Sequence, residues 1–285
     1  MIYTLSDVHM GRGDARDNFT DNKKSQLFDL LRKIKLEDAE LVIIGDLFDF
    51  WQGGVSDILM YRRDVIEFIC GMRATYIIGN HDIDLKKFIG QDLVSCKLFN
   101  IMSEPFIREI NGKKVKFMHG HEGDPFNNTS SPGWGRMISI FAGLYEDKNG
   151  SPYYGDGGSV EERLQYVGDK ALKIWNRVAG FVTGKSKYNI PEVHLTPAKD
   201  SELVDENIQQ IWADRMKDGY DIAILGHTHV PGNYEGWYYN DGSWVASRQE
   251  NDYITIDDKC NISICKCPGE RVINNRIYRD VVLST

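Results

Sequence analysis

Short runs of β-branched and aromatic residues alternate with stretches of helical period over the first third of the chain. "MIYTLSD" reads as a strand, and "KKSQLFDLLRKIK" then sets Leu27, Leu30, Leu31 and Ile34 on one helical face. The strand "ELVIIGD", a helical stretch from Asp57 to Cys70 and the strand "ATYIIGN" follow. Strands alternating with helices predict βαβ units and a mainly parallel sheet. "KLFNIMS", "PFIREI" and "KKVKFMHGH" come next, the last two joined at Asn111-Gly112 as a hairpin.

From 124 to 218 the strand pattern gives way to helical spacing. "VEERLQYVGDKALKIWNRVAGFV" aligns Val160, Leu164, Val167, Ala171, Ile174, Trp175 and Val178, and "SELVDENIQQIWADRM" carries Leu203, Ile208, Ile211 and Trp212. This span reads as a mostly helical insertion, lid-like in position, within a single domain of 285 residues. "YDIAILGH" restores the sheet, and short strands in "GWYYNDGSWV", "NDYITIDD" and "NISICKC" finish it as a meander.

Composition narrows the class. A net charge of −8 and a pI near 5.4 argue against a broad nucleic-acid-binding face. Apolar runs are broken by charges well short of the roughly 20 residues a membrane span needs. The start, "MIYTLSDVHMG", lacks the basic and apolar regions of a secretion signal, and five cysteines suit reduced thiols in the cytoplasm. Cys260, Cys265 and Cys267 lack the second pair or histidine that a zinc site would need, so buried thiols are expected.

The chemistry gathers at the ends of the strands. Asp7 and His9, Asp46 and Asp49, Asn80, His81 and Asp82, His119 and His121, and His227 and His229 each follow an apparent strand. Sites in open α/β sheets form outside the carboxyl ends of the strands, so these groups should meet in one crevice. Any one pair is commonplace, whereas five in succession point to a metal site. Carboxylate, amide and imidazole donors without thiolate suit manganese first, or iron, cobalt or zinc.

These five blocks, "SDVHMG", "GDLFD", "GNHD", "HGHEGD" and "GHTH", resemble the signature of the calcineurin-like metallophosphoesterase superfamily. The resemblance implies a β-sandwich of mixed sheets flanked by helices, and two divalent metal ions. One ion would be held by Asp7, His9, Asp46 and His229, the other by Asp46, Asn80, His119 and His227, with Asp46 bridging. Two such ions can clamp a phosphoryl group and activate water as hydroxide, so no covalent nucleophile is needed. His81 then has no metal to bind and is expected to serve the leaving group as a general acid, with Asp49 as its partner by resemblance. Arg12 and His121 are expected to touch substrate, and Asp82 to organise its turn.

Within the superfamily the pattern is most similar to the UDP-2,3-diacylglucosamine pyrophosphatase branch. "GDLFDFW", an insertion between "HGHEGD" and "GHTH", and "YYNDGSWV" carry that similarity, although the branch's best-known group has Arg where His81 stands. The implied substrate is a small phosphodiester or pyrophosphate, nucleotide-linked and acylated, whose acyl chains would call for peripheral contact with lipid. A DNA-directed phosphodiesterase is the alternative enzyme, and a non-catalytic scaffold of the same fold is the alternative outside enzymes. Phe50 and Trp51 stand where protein phosphatases of the superfamily carry Arg-Gly.

Overall fold

The computed structural model describes residues 1–14, 17, 19–51, 53–90, 97–123, 208–245, 251–267, 270–273 and 276–279. Most of the helical insertion, His194 and the tip of the loop after Arg12 lie outside that set. Strands β1 (Ile2–Leu5), β2 (Glu40–Ile44), β3 (Ala74–Ile77) and β4 (Met102–Ser103) run parallel as neighbours. On the other side of β1, β10 (Asn251–Ile256) and β11 (Ile262–Cys267) add antiparallel strands and complete six. A second sheet has the order β5 (Phe106–Ile110), β6 (Lys113–Phe117), β7 (Ile222–Leu225), β9 (Tyr238–Asn240) and β8 (Gly232–Tyr234). The two mixed sheets form the expected sandwich.

Alternation along the strands explains the layering, because successive side chains leave opposite faces of a strand. Leu41 and Ile43 of β2 face a core shared with Leu27, Leu31, Val65 and Ile69, while Val42 and Ile44 face Phe117, Ile222 and Ile224 of the second sheet. On β7, Ile222 and Ile224 point into the sandwich and Ala223 and Leu225 point outward to Ile211. The helices that cover the first sheet are α1 (Asp21–Leu36), α2 (Val55–Tyr61), α3 (Arg63–Cys70) and α4 (Lys97–Asn100), and α5 (Ile208–Asp218) covers the second. Helix α1 begins at Thr20, whose side chain accepts from the Lys23 N–H, and buries the four apolar residues its spacing singled out.

Four expectations need correction. The stretch from Asp57 to Cys70 is two helices, broken at Arg62, whose guanidinium is drawn inward to the Gly11 carbonyl and the Asp17 carboxylate. "KLFNIMS", if read like the runs beside it as a strand throughout, instead opens as the short helix α4, and only Met102–Ser103 pairs as strand. The C-terminal strands are not one meander: β8 and β9 join the second sheet, and β10 and β11 join the first. Cys70 is disulfide-bonded, with its partner outside the described residues, so the cysteines are not all reduced thiols; Cys260, Cys265 and Cys267 form no disulfide. No helix among the described residues is long and apolar enough to cross a membrane.

Candidate metal centre

The loops after β1, β2, β3, β6 and β7 meet at one edge of the sandwich. Backbone pairing carries on past the strand ends, with Asp7 N–H to Gly45 O at 3.2 Å, His9 N–H to Asp46 O at 3.0 Å and Phe50 N–H to His81 O at 3.2 Å. Gly226 N–H reaches the His119 carbonyl at 3.1 Å and so stitches the two loops of the second sheet together.

Five of the seven expected metal ligands occupy left-handed backbone: Asp7 (φ 52°), His9 (50°), Asp46 (51°), His227 (69°) and His229 (59°). That region costs a residue with a Cβ about 1–2 kcal/mol. Strain gathered on these side chains, when Gly or Asn would be cheaper, marks them as placed for function. Glycine permits the close approach at one further point: a Cβ on Gly79 would lie 2.1 Å from Asp46 Oδ1.

Three overlapping groups of donors form, and Asp46 belongs to two of them. In the first, Asp7 Oδ1 lies 3.1 Å from His229 Nε2 and 3.6 Å from His9 Nε2, and the two imidazole nitrogens are 3.2 Å apart. In another, Asp46 Oδ2 lies 3.1 Å from His119 Nε2, and Asn80 Oδ1 lies 3.0 Å from that same nitrogen. Asp46 Oδ2 is also 3.8 Å from His9 Nε2. Asp7–His9–His229, His9–Asp46–His81 and Asp46–His119–His227 each converge closely enough to share a cation.

The donor chemistry fits divalent metal. Asp7 Oδ2 accepts from the Ser6 hydroxyl and from His227 N–H at 2.8 Å, which leaves the buried Oδ1 toward the imidazoles of His9 and His229. Asp46 Oδ1 likewise accepts the His81 N–H at 2.8 Å, which leaves Oδ2 toward the imidazoles. His119 Nδ1–H donates to the Ile44 carbonyl at 2.7 Å, which fixes the tautomer and turns the Nε2 lone pair inward.

The electrostatics follow from packing these groups together. Burial alone would raise the Asp7 and Asp46 carboxyls, but the surrounding histidines, His229 foremost for Asp7 and His119 for Asp46, hold both well below the usual range. Burial opposes charge on His9, yet the Asp7 hydrogen bond and the Asp46 charge carry it up to about 9. His121 shows the reverse: burial pushes it down to about 4, and neither ring nitrogen makes a hydrogen bond among the described residues.

His81 stands beside the metal ligands. Its Nδ1 is 3.0 Å from Asp49 Oδ1, and its ring meets His9 edge-on at 4.4 Å. Burial raises the Asp49 carboxyl, and the charge and hydrogen bond of His81 outweigh this and bring it below its ordinary value. Asp82 organises more than its own turn, accepting Gly79 N–H at 2.7 Å, Leu47 N–H at 2.9 Å and the Tyr76 hydroxyl. Burial, reinforced by the Asp46 charge, pushes Asp82 up to about 7. Arg12 is half-exposed and pairs with Asp14, so it lies on the rim and outside the cluster.

Residue types at strand ends do not reveal the braces behind the ligands. Asp241 accepts from Ser6 Oγ at 2.6 Å and from Thr4 Oγ1 at 3.2 Å, and burial pushes its carboxyl well up. Asn240 Nδ2 holds the Gly226 carbonyl at 2.6 Å. The one available signal was the polar pair Asn240-Asp241 directly after the apolar-aromatic run "GWYY".

The calcineurin-like phosphoesterase family model matches residues 1–257. The chain belongs to that family. A UDP-2,3-diacylglucosamine hydrolase of Nitrosococcus oceani is 30% identical over 127 residues, covering 41% of this chain and 45% of that protein. The chain thus matches about half the length of that relative. A UDP-2,3-diacylglucosamine hydrolase of Aliivibrio fischeri is 21% identical over 267 residues, 90% of each chain. Among solved structures, wild-type Vps29 complexed with zinc from Entamoeba histolytica covers 97% of this chain and 95% of its own at 13% identity, with a TM-score of 0.39. That likeness adds nothing to the fold already described.

Proposed function

We propose that this phosphoesterase-family chain is a dinuclear metal-dependent phosphohydrolase that cleaves a phosphodiester or pyrophosphate bond. The observation that carries the reading is Asp46, whose Oδ2 lies 3.1 Å from His119 Nε2 and 3.8 Å from His9 Nε2, between the two sets of donors, with the His81–Asp49 pair beside them. Asp7, His9, Asp46 and His229 would hold one ion, and Asp46, Asn80, His119 and His227 the other. When bound, such ions supply hydroxide at neutral pH and offset charge on the phosphoryl oxygens; manganese fits these donors first.

The chain's own side chains do the remaining work. Hydroxide forms a bond to phosphorus as the bond to the leaving oxygen breaks, and that oxygen takes the bonding electron pair. His81 gives its Nε2 proton to the leaving oxygen and ends neutral, while Asp49 holds Nδ1 and so fixes where Nε2 points. His121, buried and without a hydrogen-bond partner among the described residues, would touch a phosphate or sugar group, and Arg12 would meet a second phosphate.

UDP-2,3-diacylglucosamine or a related nucleotide-linked substrate is the leading candidate, supported by the relatives that bear that activity in their names. An acylated substrate would bring the chain against lipid, with the insertion at 124–218 as its lid. The test is a hydrolysis panel on the manganese-loaded chain: UDP-diacylglucosamine, nucleotide pyrophosphates, cyclic nucleotides and single-stranded DNA. Release of UMP and the acylated sugar phosphate at the highest kcat/KM supports the reading. A preference for DNA would replace it with a nuclease.

A further inference from the structure

Trp51 follows the run of Phe48 and Phe50, and those two phenylalanines belong to the core under the first sheet. Trp51 joins none of the three apolar cores of the described residues, although it is only 8% exposed. Its ring lies against His81. The indole and imidazole rings are nearly parallel, at 22°, with centroids 3.7 Å apart. The two residues are also fastened by their surroundings, since Asp49 Oδ1 accepts both His81 Nδ1 and the Trp51 N–H, the latter at 3.1 Å. Phe50 N–H meanwhile holds the His81 carbonyl.

We infer that Trp51 is a positioning residue for proton transfer, setting the plane of the His81 ring. This inference rests on the reading of His81 as general acid. One hydrogen bond from Nδ1 to Asp49 is a hinge, because the imidazole can swing about that contact and carry Nε2 off line. A flat indole lying on one face removes the swing, and His9, edge-on at the ring, limits it further. Proton transfer requires the donor nitrogen within hydrogen-bond reach of the leaving oxygen, so a small rocking of the ring is costly. Trp51 itself gives and takes no proton in this step.

The experiment uses the full manganese-loaded chain with two diesters that differ only in leaving group, methyl p-nitrophenyl phosphate and methyl phenyl phosphate. p-Nitrophenolate leaves without much help, whereas phenolate needs the proton. Trp51→Ala is expected to lower kcat on the phenyl ester by roughly 10- to 100-fold and on the nitrophenyl ester several-fold less, with KM and metal content unchanged. Trp51→Phe should recover most of the loss, because it keeps a flat face. Trp51→Leu, which fills space without one, should not. In a His81→Ala background Trp51→Ala should cost nothing further.

Equal losses on both esters, while His81→Ala alone stays sensitive to the leaving group, would overturn the role of Trp51 and leave the acid standing. A His81→Ala chain with no such sensitivity would overturn the acid assignment beneath it. Should Trp51→Ala fail to fold by circular dichroism, the Phe and Leu variants decide by the same comparison.

Discussion

Left-handed backbone at Asp7, His9, Asp46, His227 and His229 means that the site is held against local preference by its neighbours. Gly79 is the clearest of those neighbours, and substitution there separates crowding from backbone strain. Gly79→Ala would place a methyl 2.1 Å from Asp46 Oδ1 and 2.7 Å from the Asp46 backbone nitrogen, so the shared ligand must move. A loss of manganese affinity of at least about tenfold is expected, read by competition with a chelator; one displaced ligand is worth more than the 1.4 kcal/mol that factor represents. Gly90→Ala is the control, with φ at 66° and open space around it. It should cost about 1–2 kcal/mol of stability and leave metal affinity intact. His81→Ala, in turn, should keep both metals by elemental analysis and lose about 10²- to 10⁴-fold in turnover. At this scale the sequence was most legible where the side chain itself carries the chemistry. The stacking of Trp51 on His81 was not legible, because a third aromatic in "FDFW" reads the same whether it joins the core or faces an imidazole.

Elements decide what the residues can reach. The strands after His229 are three to six residues long, and nothing in such short runs says which sheet they join. Burial on the facing sheet settles it: Ile254 and Ile256 complete the sandwich interior from β10, and Tyr238 of β9 packs with the Ile211 group. The parallel strands were legible because their apolar runs are long and bounded by polar blocks. Helix α1 reaches across to the C-terminal segment through Lys23, whose buried Nζ donates to the carbonyls of Trp244 and Val245 and to Asn251 Oδ1, at 2.6 to 3.0 Å. Burial pushes the Lys23 ammonium down to about 8, against the pull of Asp252. Below that pH both the folded and unfolded chains hold the proton. Between about 8 and the ordinary 10.5 the unfolded chain binds more protons, so stability rises with pH across that window. Lys23→Met should therefore lower stability by about 1–3 kcal/mol at neutral pH, since three acceptors lose their donor. Its deficit against the wild type should widen from pH 8 to pH 10 in urea denaturation, and a constant deficit would contradict the assignment.

For the whole molecule, a chain of net charge −8 holds a buried knot of carboxylates and imidazoles at the edge where two sheets meet. Membership of the phosphoesterase family was legible because its five polar blocks survive as short words whatever lies between them. The insertion expected at 124–218 was legible only as helical periodicity, which does not say what its faces cover. Metal that binds only the folded chain adds stability by mass action, about 2.7 kcal/mol at a hundredfold excess over Kd. Manganese should accordingly raise the melting temperature of the chelator-stripped chain, and do so far less for Asp46→Asn, which weakens the shared ligand.

The most direct test is crystallographic, by anomalous scattering from manganese-loaded crystals, paired with the rate on bis-p-nitrophenyl phosphate before and after chelation. Two anomalous peaks bridged by Asp46, one against Asp7, His9 and His229 and the other against Asn80, His119 and His227, with activity lost on stripping and restored by manganese, is the predicted result. A single peak, or none at Asp46, with hydrolysis indifferent to chelation, would contradict the dinuclear centre.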